Sequence, residues 1–354
     1  MQKKYQIACV AGDGSGPEIM KAGKDLLAKI AGNKLELVDF HIGFSRWEKT
    51  GDTLHEDGRC WGGISESDLE KLKDTDAMFY IALAAASFPK GIIGPYSLLR
   101  KHLGLYADIR PGFSLPNSEA MYTDLDIIMV REVTEGLWGA VEFMQDDTAY
   151  ILSRISHKGM ERVAKVAFDM ARTRPKRKVT CAHKGQVSRT GFMHFRNVIK
   201  EVAEKYPDVI FEEMHTDVLP YAMIRNPEQL DVILVTSFTG DIISGVLAAL
   251  SGVAGISPAA IVGENYGLFR PSHGTVSGKA GKNTANPIAS FMGIKMMLEW
   301  LARKFKDETL DRKAHCLDTS IRKTLKDGRF LTTDLGGTAT ITQVTNEIIK
   351  NYIE

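Results

Sequence analysis

The stretch that most constrains the fold lies at residues 230–245, LDVILVTSFTGDIISG. It contains a short unbroken apolar run at residues 232–235, which is typical of a strand buried on both faces of a parallel sheet. The chain then turns through Gly240 and Asp241 and continues with the apolar spacing of an amphipathic helix. Open α/β sheets bind ligands at the carboxyl ends of their strands. The stretch therefore predicts an α/β fold with Asp241 near a ligand, the alternative being that Asp241 only caps the helix.

The bulk properties indicate an ordinary globular protein. The chain has 354 residues, of which 44% are hydrophobic and 25% charged, which suits two domains or one large domain. Its 45 Lys and Arg residues balance 44 Asp and Glu residues, so no overall field attracts nucleic acid or a membrane surface. The basic cluster at residues 172–178 is interpreted as a solvated loop, with a polyanion site as the weaker alternative. Four scattered cysteines, no signal-peptide pattern and no membrane-spanning run lead us to expect a cytoplasmic protein.

Strand and helix patterns alternate along the rest of the chain. Strands are predicted at residues 5–11, 35–40, 76–83, 127–130, 178–182 and 210–214, and helices after residue 17, at about 149–172 and at 288–305. The glycine turn at residues 12–17 lacks the spacing of a dinucleotide fingerprint and is interpreted as a tight turn that opens a helix. The composition from residue 252 to 287 predicts loop.

Three arginines stand at element ends within 32 residues of each other, namely Arg100, Arg110 and Arg131. A guanidinium group binds carboxylates through two parallel hydrogen bonds, so the set favours a di- or tricarboxylate ligand. Any one of them alone is better explained as a surface residue. Lys184 follows a predicted buried strand, where desolvation and neighbouring charge bring a lysine toward proton transfer. The polar loop at residues 277–287 precedes a helix and is equally consistent with a phosphate cradle and a mobile surface loop.

Taken in order, eight segments resemble the isocitrate/isopropylmalate dehydrogenase family of metal-dependent β-decarboxylating dehydrogenases. They span nearly the whole chain and read GDGSGPE, LLRKHLGLYADIRP, REVTEG, HKGQV, the Asp217 segment, GDIIS, SHGTVSGKAGKNTANPIAS and DLGGTAT. The resemblance implies two discontinuous, doubly wound α/β domains. Residues 1–99 plus 252–354 would form a large cofactor-binding domain, and residues 100–251 a small domain with substrate, metal and dimer-interface residues.

The resemblance also implies the activity, which is oxidative decarboxylation of a 3-substituted malate with NADP or NAD. Hydride leaves C2 of the hydroxy acid, and a bound Mg²⁺ or Mn²⁺ then assists the loss of CO2. Isocitrate is the favoured substrate and isopropylmalate the next. The family forms homodimers whose active sites share side chains, and the expected partners include neither nucleic acid nor a membrane.

Site residues follow from the same resemblance, position by position. Arg100, Arg110 and Arg131 would hold the substrate carboxylates, while Tyr96 and Ser97 stand where the family reads the substrate's variable group. Lys184 would perform acid/base chemistry from the partner subunit, and the metal would bind Asp241 of one chain and Asp217 of the other. Trp138 occupies the position of a catalytic acid. The cofactor residues would be His273, Gly274, Thr275, Val276, Gly278, Lys279, Asn286 and Asp334.

Several positions depart from the family pattern. Gly245 replaces a second metal-binding aspartate, and Trp138 replaces the tyrosine that protonates the enol, although an indole N–H only donates a hydrogen bond. The usual asparagine before Gly240 is replaced within residues 236–238, and Arg270 stands where a glutamate is expected. Gly278 lacks the carboxylate of NAD-specific members, which favours NADP. The alternatives are therefore a non-catalytic binding or regulatory subunit and a homologue with altered chemistry.

Overall fold

A computed structural model describes residues 3–354, and the chain divides into two compact units. Unit 1 contains the residues up to Gly104, Leu115–Glu119 and Val253–Glu354, and unit 2 contains Leu105–Ser114 and Ala120–Gly252. The sequence predicts the changes at 99/100 and at 251/252. No helix within residues 3–354 is long and apolar enough to cross a lipid bilayer.

Unit 1 is built on a mostly parallel sheet with helices packed against it. Its strands are β1 (Tyr5–Gly12), β2 (Leu35–Asp39), β3 (Thr53–Glu56), β4 (Arg59–Gly62), β5 (Ala77–Ala82), β6 (Ile92–Ile93), β14 (Pro258–Val262) and β15 (Gly267–Pro271). Its helices are α1 (Gly16–Ala31), α2 (Phe44–Thr50), α3 (Glu66–Leu72), α4 (Tyr96–His102), α9 (Ile288–Phe305), α10 (Glu308–Asp327) and α11 (Ile341–Asn351).

The main strands of unit 1 lie in the order β14-β15-β5-β1-β2, and only β14 runs antiparallel to its neighbour. Every residue of β5 is buried, as its apolar sequence AMFYIA predicts for a central strand. A second sheet has the order β3-β4-β6. Because α4 and the loop after β15 belong to this unit, it carries Tyr96, Ser97, Arg100 and the expected cofactor residues.

Unit 2 also contains a mostly parallel set of strands with helices packed against it. Its strands are β7 (Ala107–Phe113), β8 (Asp126–Glu132), β9 (Gly136–Gln145), β10 (Thr148–Arg154), β11 (Lys178–His183), β12 (Ile210–His215) and β13 (Val232–Val235). Its helices are α5 (His157–Arg172), α6 (Gly191–Ala203), α7 (Leu219–Arg225) and α8 (Ser237–Ser251). The order is β12-β11-β13-β8-β7, with β7 antiparallel and the other four parallel, so four strands end at one edge. Strands β9 and β10 form a separate hairpin.

The α/β prediction is confirmed, and the buried strands and the helix at residues 288–305 lie where the apolar patterns place them. The glycine turn opens α1 with a proline in its first turn, also as predicted. Residues 173–177, the middle of the basic cluster, connect α5 to β11. Cys9 and Cys181 are buried, as expected of small core residues.

Three local predictions are wrong. Residues 148–154 form β10 rather than the start of a helix, and α5 begins only after Ser156, whose hydroxyl accepts a hydrogen bond from the backbone N–H of Gly159. The region after residue 252 contains β14 and β15 despite its many glycines and prolines. No turn exists at Gly240 and Asp241, since α8 already begins at Ser237; Thr236 is its N-cap, which excludes Asp241 as the cap.

Candidate active site

Arg131 is the centre of a buried charge cluster in unit 2. It lies next to the end of β8 and is 2% exposed. Its direct partner across the antiparallel β7–β8 pair is Asp108, and residues in register on neighbouring strands point to the same face. Arg110 follows two residues later on β7 and donates from Nε to both oxygens of Asp108 at 3.1 and 3.0 Å. Strand alternation therefore places two arginines and one carboxylate on one face.

Helix α8 completes the surroundings of Arg131. Its guanidinium donates from Nε to the carbonyl of Ser237 at 2.6 Å and from Nη1 to Oδ1 of Asp241 at 2.7 Å. Nη1 also lies 3.7 Å from Asp108. A Cβ on Gly240 would lie 2.5 Å from Cγ of Arg131, so only glycine allows the arginine to lie this close to the helix. The Gly-Asp pair thus makes room for the guanidinium and then binds it.

The charge of Arg131 is balanced within unit 2, yet one of its donors is left over. Burial lowers the pKa of Arg131, and the negative charges of Asp108 and Asp241 oppose that shift. Nη2 is buried and has no hydrogen-bond partner within residues 3–354. A buried donor without an acceptor costs about 1–3 kcal/mol, so the arrangement is suited to receive a ligand oxygen.

Trp138 covers the same guanidinium. The Cζ atom of Arg131 lies 4.7 Å from the centre of the indole ring, within the range of a cation–π contact. Trp138 projects from β9 and is 37% exposed. This side chain supplies an aromatic surface over Arg131 and no titratable proton.

Lys184 and Asp217 form a second, separate pair at the carboxyl edge of the unit 2 sheet. They follow β11 and β12, which are parallel neighbours, and Lys184 Nζ lies 2.5 Å from Oδ1 of Asp217. The hydrogen bond from Lys184 lowers the pKa of Asp217 from its usual range. No hydrogen bond or ion pair joins either residue to Arg131 or Asp241 in the described part of the chain. The two clusters are thus chemically independent within one chain.

The expected divalent cation finds no complete ligand set in a single chain. Asp241 is engaged by Arg131, and Asp217 by Lys184. No group of three or more His, Cys, Asp or Glu side chains within residues 3–354 could hold a metal ion. Hard cations bind by collecting several oxygen ligands, so these carboxylates do not suffice alone. Gly245, one turn after Asp241, has no atom within 4 Å of where its Cβ would lie, so an aspartate would fit there.

The predicted substrate-binding residues of unit 1 lie on α4. Arg100 is buried and donates from Nη2 to the hydroxyl of Ser97 at 3.0 Å, one helical turn earlier. Its Cζ lies 5.1 Å from the ring centre of Tyr96, the first residue of the helix. The spacing i, i+1, i+4 therefore brings the three predicted residues together.

The expected cofactor loop is held by the glycine turn of the N-terminal motif. Ser15 donates both its backbone N–H and its hydroxyl to the carbonyl of Thr275, each at 3.0 Å. Gly14 has φ +65°, and a Cβ there would lie 2.4 Å from the same carbonyl oxygen. Val276, which follows Thr275, has φ 47° and ψ 45°, a left-handed conformation that is strained for a β-branched side chain. Such strain is common where a loop binds a ligand.

Three of the remaining cofactor candidates form hydrogen bonds near residues 332–334, and the other three lie in the loop that precedes them in the chain. Asn286 is buried and donates to Asp334 at 3.0 Å, which in turn accepts from Thr332 at 2.6 Å. Lys279 donates to the hydroxyl of Thr333 at 2.7 Å. His273 is half-buried, and burial lowers its pKa. Gly274 and Gly278 have no atom within 4 Å of a Cβ position, so both are open to a ligand.

Two residues of these clusters were not among the sequence-predicted site residues. The sequence contains one signal for Asp108, since it lies two residues before Arg110 and therefore on the same face of a strand. Its pairing with Arg131 depends on the strand register, which the sequence does not give. Arg270 was noticed only as a departure from the family. It ends up beside Tyr96, with Cζ 5.3 Å from the ring centre.

Comparison with known proteins identifies the class. The isocitrate/isopropylmalate dehydrogenase family matches residues 6–351. A 3-isopropylmalate dehydrogenase of Archaeoglobus fulgidus is 32% identical over 97% of this chain and 98% of its own length. An isocitrate/homoisocitrate dehydrogenase of Thermus thermophilus is 31% identical over 98% of each chain. The crystal structure of isocitrate dehydrogenase from Methylococcus capsulatus superposes with a TM-score of 0.86 at 28% identity, over 99% of this chain and 100% of that one.

The family and these relatives indicate a decarboxylating dehydrogenase of hydroxy acids. The chain belongs to the isocitrate/isopropylmalate dehydrogenase family.

Proposed function

We propose that the protein oxidises a 3-substituted malate at C2, transfers the hydride to NADP and releases the carboxylate on C3 as CO2. Isocitrate is the first candidate substrate and isopropylmalate the second, and NAD is the second candidate cofactor. The observation that carries the proposal is Arg131, a buried and fully oriented guanidinium with an unused Nη2 donor. Carboxylate is the ligand that best completes such a site.

The residues of the chain divide the work as follows. Arg110 and Arg131 bind substrate carboxylates, with Arg100 contributing from α4. Lys184 accepts the proton of the 2-hydroxyl group while hydride leaves C2, and the neighbouring Asp217 stabilises the ammonium that forms. When the bond from C3 to its carboxylate breaks, the electron pair moves onto the new ketone and forms an enolate, which must take up a proton at C3. Lys184 now holds one, so it can return the proton that it took.

Trp138 cannot act as the acid in this scheme. Its role would be to cover Arg131 and to exclude water from it, which strengthens the arginine–carboxylate interaction. A divalent cation, when bound, would polarise the new ketone. We assign its ligands to Asp241 and to Asp217 of the partner subunit, since one chain alone does not provide enough oxygen atoms.

The proposed assembly is a homodimer with shared sites. Every residue of β10 and most residues of β9 are exposed, and the cross-strand pair Val141 and Leu152 is more than half exposed. A two-stranded hairpin is marginally stable alone, and a large exposed apolar surface favours an interface. On α8, Phe238 and Ile242 are also more than half exposed. A second copy of the chain would cover these residues.

Cofactor reduction by the purified protein with Mn²⁺ tests the activity, using isocitrate, isopropylmalate, malate and tartrate with each nicotinamide cofactor. Turnover on a 3-substituted malate is the expected result. The double variant Trp138→Tyr, Gly245→Asp should raise the rate, because a restored general acid contributes about 10²–10⁴-fold. Trp138→Phe with Gly245→Asp is the matched control without a hydroxyl group. Binding of the acids without turnover would contradict the proposal and favour a binding subunit.

Complementation tests the shared site. Lys184→Met and Arg110→Met should each abolish turnover. If one site uses Lys184 of one subunit and Arg110 of the other, a mixture of the two variants regains activity, because each heterodimer has one intact site. No recovery after confirmed subunit exchange would show that each chain completes its own site, and sedimentation would show whether a dimer forms at all.

A further inference from the structure

Tyr96 lies against two guanidinium groups in unit 1. Arg100 and Arg270 place their Cζ atoms 5.1 and 5.3 Å from the centre of its ring, and the ring stacks on Tyr80 with the ring centres 5.4 Å apart. Arg100 comes from the same helix, whereas Arg270 comes from β15. An aromatic ring attracts a cation, but it does not neutralise one. Two positive charges thus share one ring.

Two polar atoms of this group have no partner. The hydroxyl of Tyr96 and Nε of Arg270 are both buried, and neither forms a hydrogen bond within residues 3–354. Arg270 uses Nη1 to donate to the carbonyl of Pro271 at 2.9 Å. A buried hydroxyl and a buried guanidinium N–H are rarely left unpaired in folded proteins. Both are hydrogen-bond donors.

The fold supplies no carboxylate for Arg270. It forms no ion pair in the described part of the chain, unlike Arg131. Asp13 and Arg270 both influence the neighbouring Tyr80, through charges of opposite sign. That carboxylate already accepts three backbone hydrogen bonds, from Phe44, Ser45 and Ala84 at 2.8–3.0 Å. Since like charges close together destabilise each other, an anionic ligand is the missing component.

We infer that Arg270 and Tyr96 select the substrate by binding a carboxylate on its C3 substituent. The protein would therefore prefer tricarboxylic hydroxy acids over those with an apolar substituent such as isopropyl. This inference rests on the proposed function for its substrate class. It assigns the choice to Arg270, a position at which the family is expected to carry the opposite charge, and the Tyr96 hydroxyl provides the second donor.

Calorimetric titration of the full-length protein tests the inference without requiring turnover. Isocitrate, isopropylmalate and malate are titrated in the presence of Mn²⁺, and NADP is titrated separately. Isocitrate should bind at least tenfold more tightly than isopropylmalate. Arg270→Gln should reduce that ratio by about 10- to 100-fold, as expected for loss of a hydrogen bond to a charged group. Tyr96→Phe should reduce it by less.

Two variants serve as controls. Arg303→Gln removes an exposed arginine of α9 in the same unit and should leave the ratio unchanged. Arg270→Lys keeps the charge but loses Nε, so it should fall between wild type and Arg270→Gln, which also guards against an effect of misfolding. An unchanged ratio in Arg270→Gln would overturn the inference. Weaker NADP binding with an unchanged ratio would also overturn it, because Arg270 would then serve the cofactor phosphate.

The inference and the proposed function can fail separately. Discrimination between the acids without any turnover would refute the dehydrogenase and leave the selective site standing. Turnover of isocitrate and isopropylmalate with equal binding would refute the selective site alone. A wild-type protein that binds none of the acids would refute the inference.

Discussion

Arg131 and Arg270 both lie near strand ends, and both contact an aromatic ring. They differ in whether the described residues provide a carboxylate to balance their charge. Arg131 has Asp108 and Asp241 within 3.7 Å and a backbone carbonyl on Nε. Arg270 has one backbone carbonyl and no carboxylate partner in the described residues. The first arginine is part of the fold whether or not a ligand is bound. The second has no counter-charge within residues 3–354, which is why we infer that a ligand supplies the anion.

This difference indicates which variants should affect stability and which should affect ligand choice. A buried ion pair contributes little net stability, but removing one partner leaves the other charge uncompensated. Where the fold provides no counter-charge, the same substitution removes a destabilising feature and a ligand contact together. Replacing Arg131 should therefore lower the stability of the fold. Replacing Arg270 should change ligand choice without lowering stability.

The largest expected effect is on stability in unit 2. Arg131→Met should lower the free energy of unfolding by about 3 kcal/mol, because Asp241 and the Ser237 carbonyl lose their donor and the buried Asp108 keeps only Arg110. Urea denaturation followed by circular dichroism measures it. Arg225→Met, at an exposed position on α7, is the control and should change stability by less than about 0.5 kcal/mol. Equal effects of both substitutions would show that the Arg131 cluster is not a structural unit.

The fit between Arg131 and α8 gives a smaller effect with an internal control. Gly240→Ala should destabilise by about 1–3 kcal/mol, since its Cβ would collide with the arginine side chain. Gly245→Ala lies on the same helix in open space and should stabilise by about 0.5–1 kcal/mol through helix propensity. Opposite signs in thermal melting are expected, and the same sign for both would contradict the close approach at Gly240.

In unit 1, adding a carboxylate should change ligand choice rather than stability. Gly278→Asp has space for its side chain and should lower the affinity for NADP relative to NAD by about tenfold, because the carboxylate repels the 2′-phosphate. Cofactor titration measures the ratio. Gly278→Asn has nearly the same size without the charge, so a similar shift in that variant would show that size rather than charge decides.

The smallest expected effect concerns His183, a buried histidine whose surroundings favour the neutral form. Burial lowers the pKa of His183, and Glu213, 3.7 Å from its Nε2, opposes the shift. Because the unfolded chain binds the proton at higher pH, stability should decrease as pH falls through the ordinary histidine range near 6.5. Asparagine could still accept the hydrogen bond that Nδ1 receives from Gly185. His183→Asn should thus lose less stability between pH 8 and pH 5, and equal losses would show that His183 does not contribute.

Local pattern was sufficient for the buried strands and insufficient where tertiary pairing decides the structure. A run such as AMFYIA predicts β5 because burial on both faces requires apolar residues at every position. Residues 148–154 form a strand only by pairing with residues 136–145, and their exposed side chains give no burial signal. The start of α8 was misplaced because its first turn, Ser-Phe-Thr-Gly, has little apolar periodicity and includes a glycine that is needed for Arg131.

For the candidate site, motif order gave residue types and positions but not their partners. Arg131, Lys184 and Asp217 were each predicted from sequence, and the structure shows which of them touch. The Lys184–Asp217 pair follows from the parallel pairing of β11 and β12, which links residues far apart in the chain. The contact of Arg270 with Tyr96 could not be read from the sequence, because it joins β15 to α4 through packing alone.

The indole placed over Arg131 has an optical consequence. Trp138 is one of four tryptophans in the chain, and its ring is both partly exposed and in direct contact with the Arg131 guanidinium. A carboxylate that pairs with this guanidinium changes the local electric field at the indole, and tryptophan emission responds to such a change. Under the proposed function, Trp138 is therefore a fluorescent reporter of substrate binding, which can be read on the natural chain and is lost in Trp138→Phe.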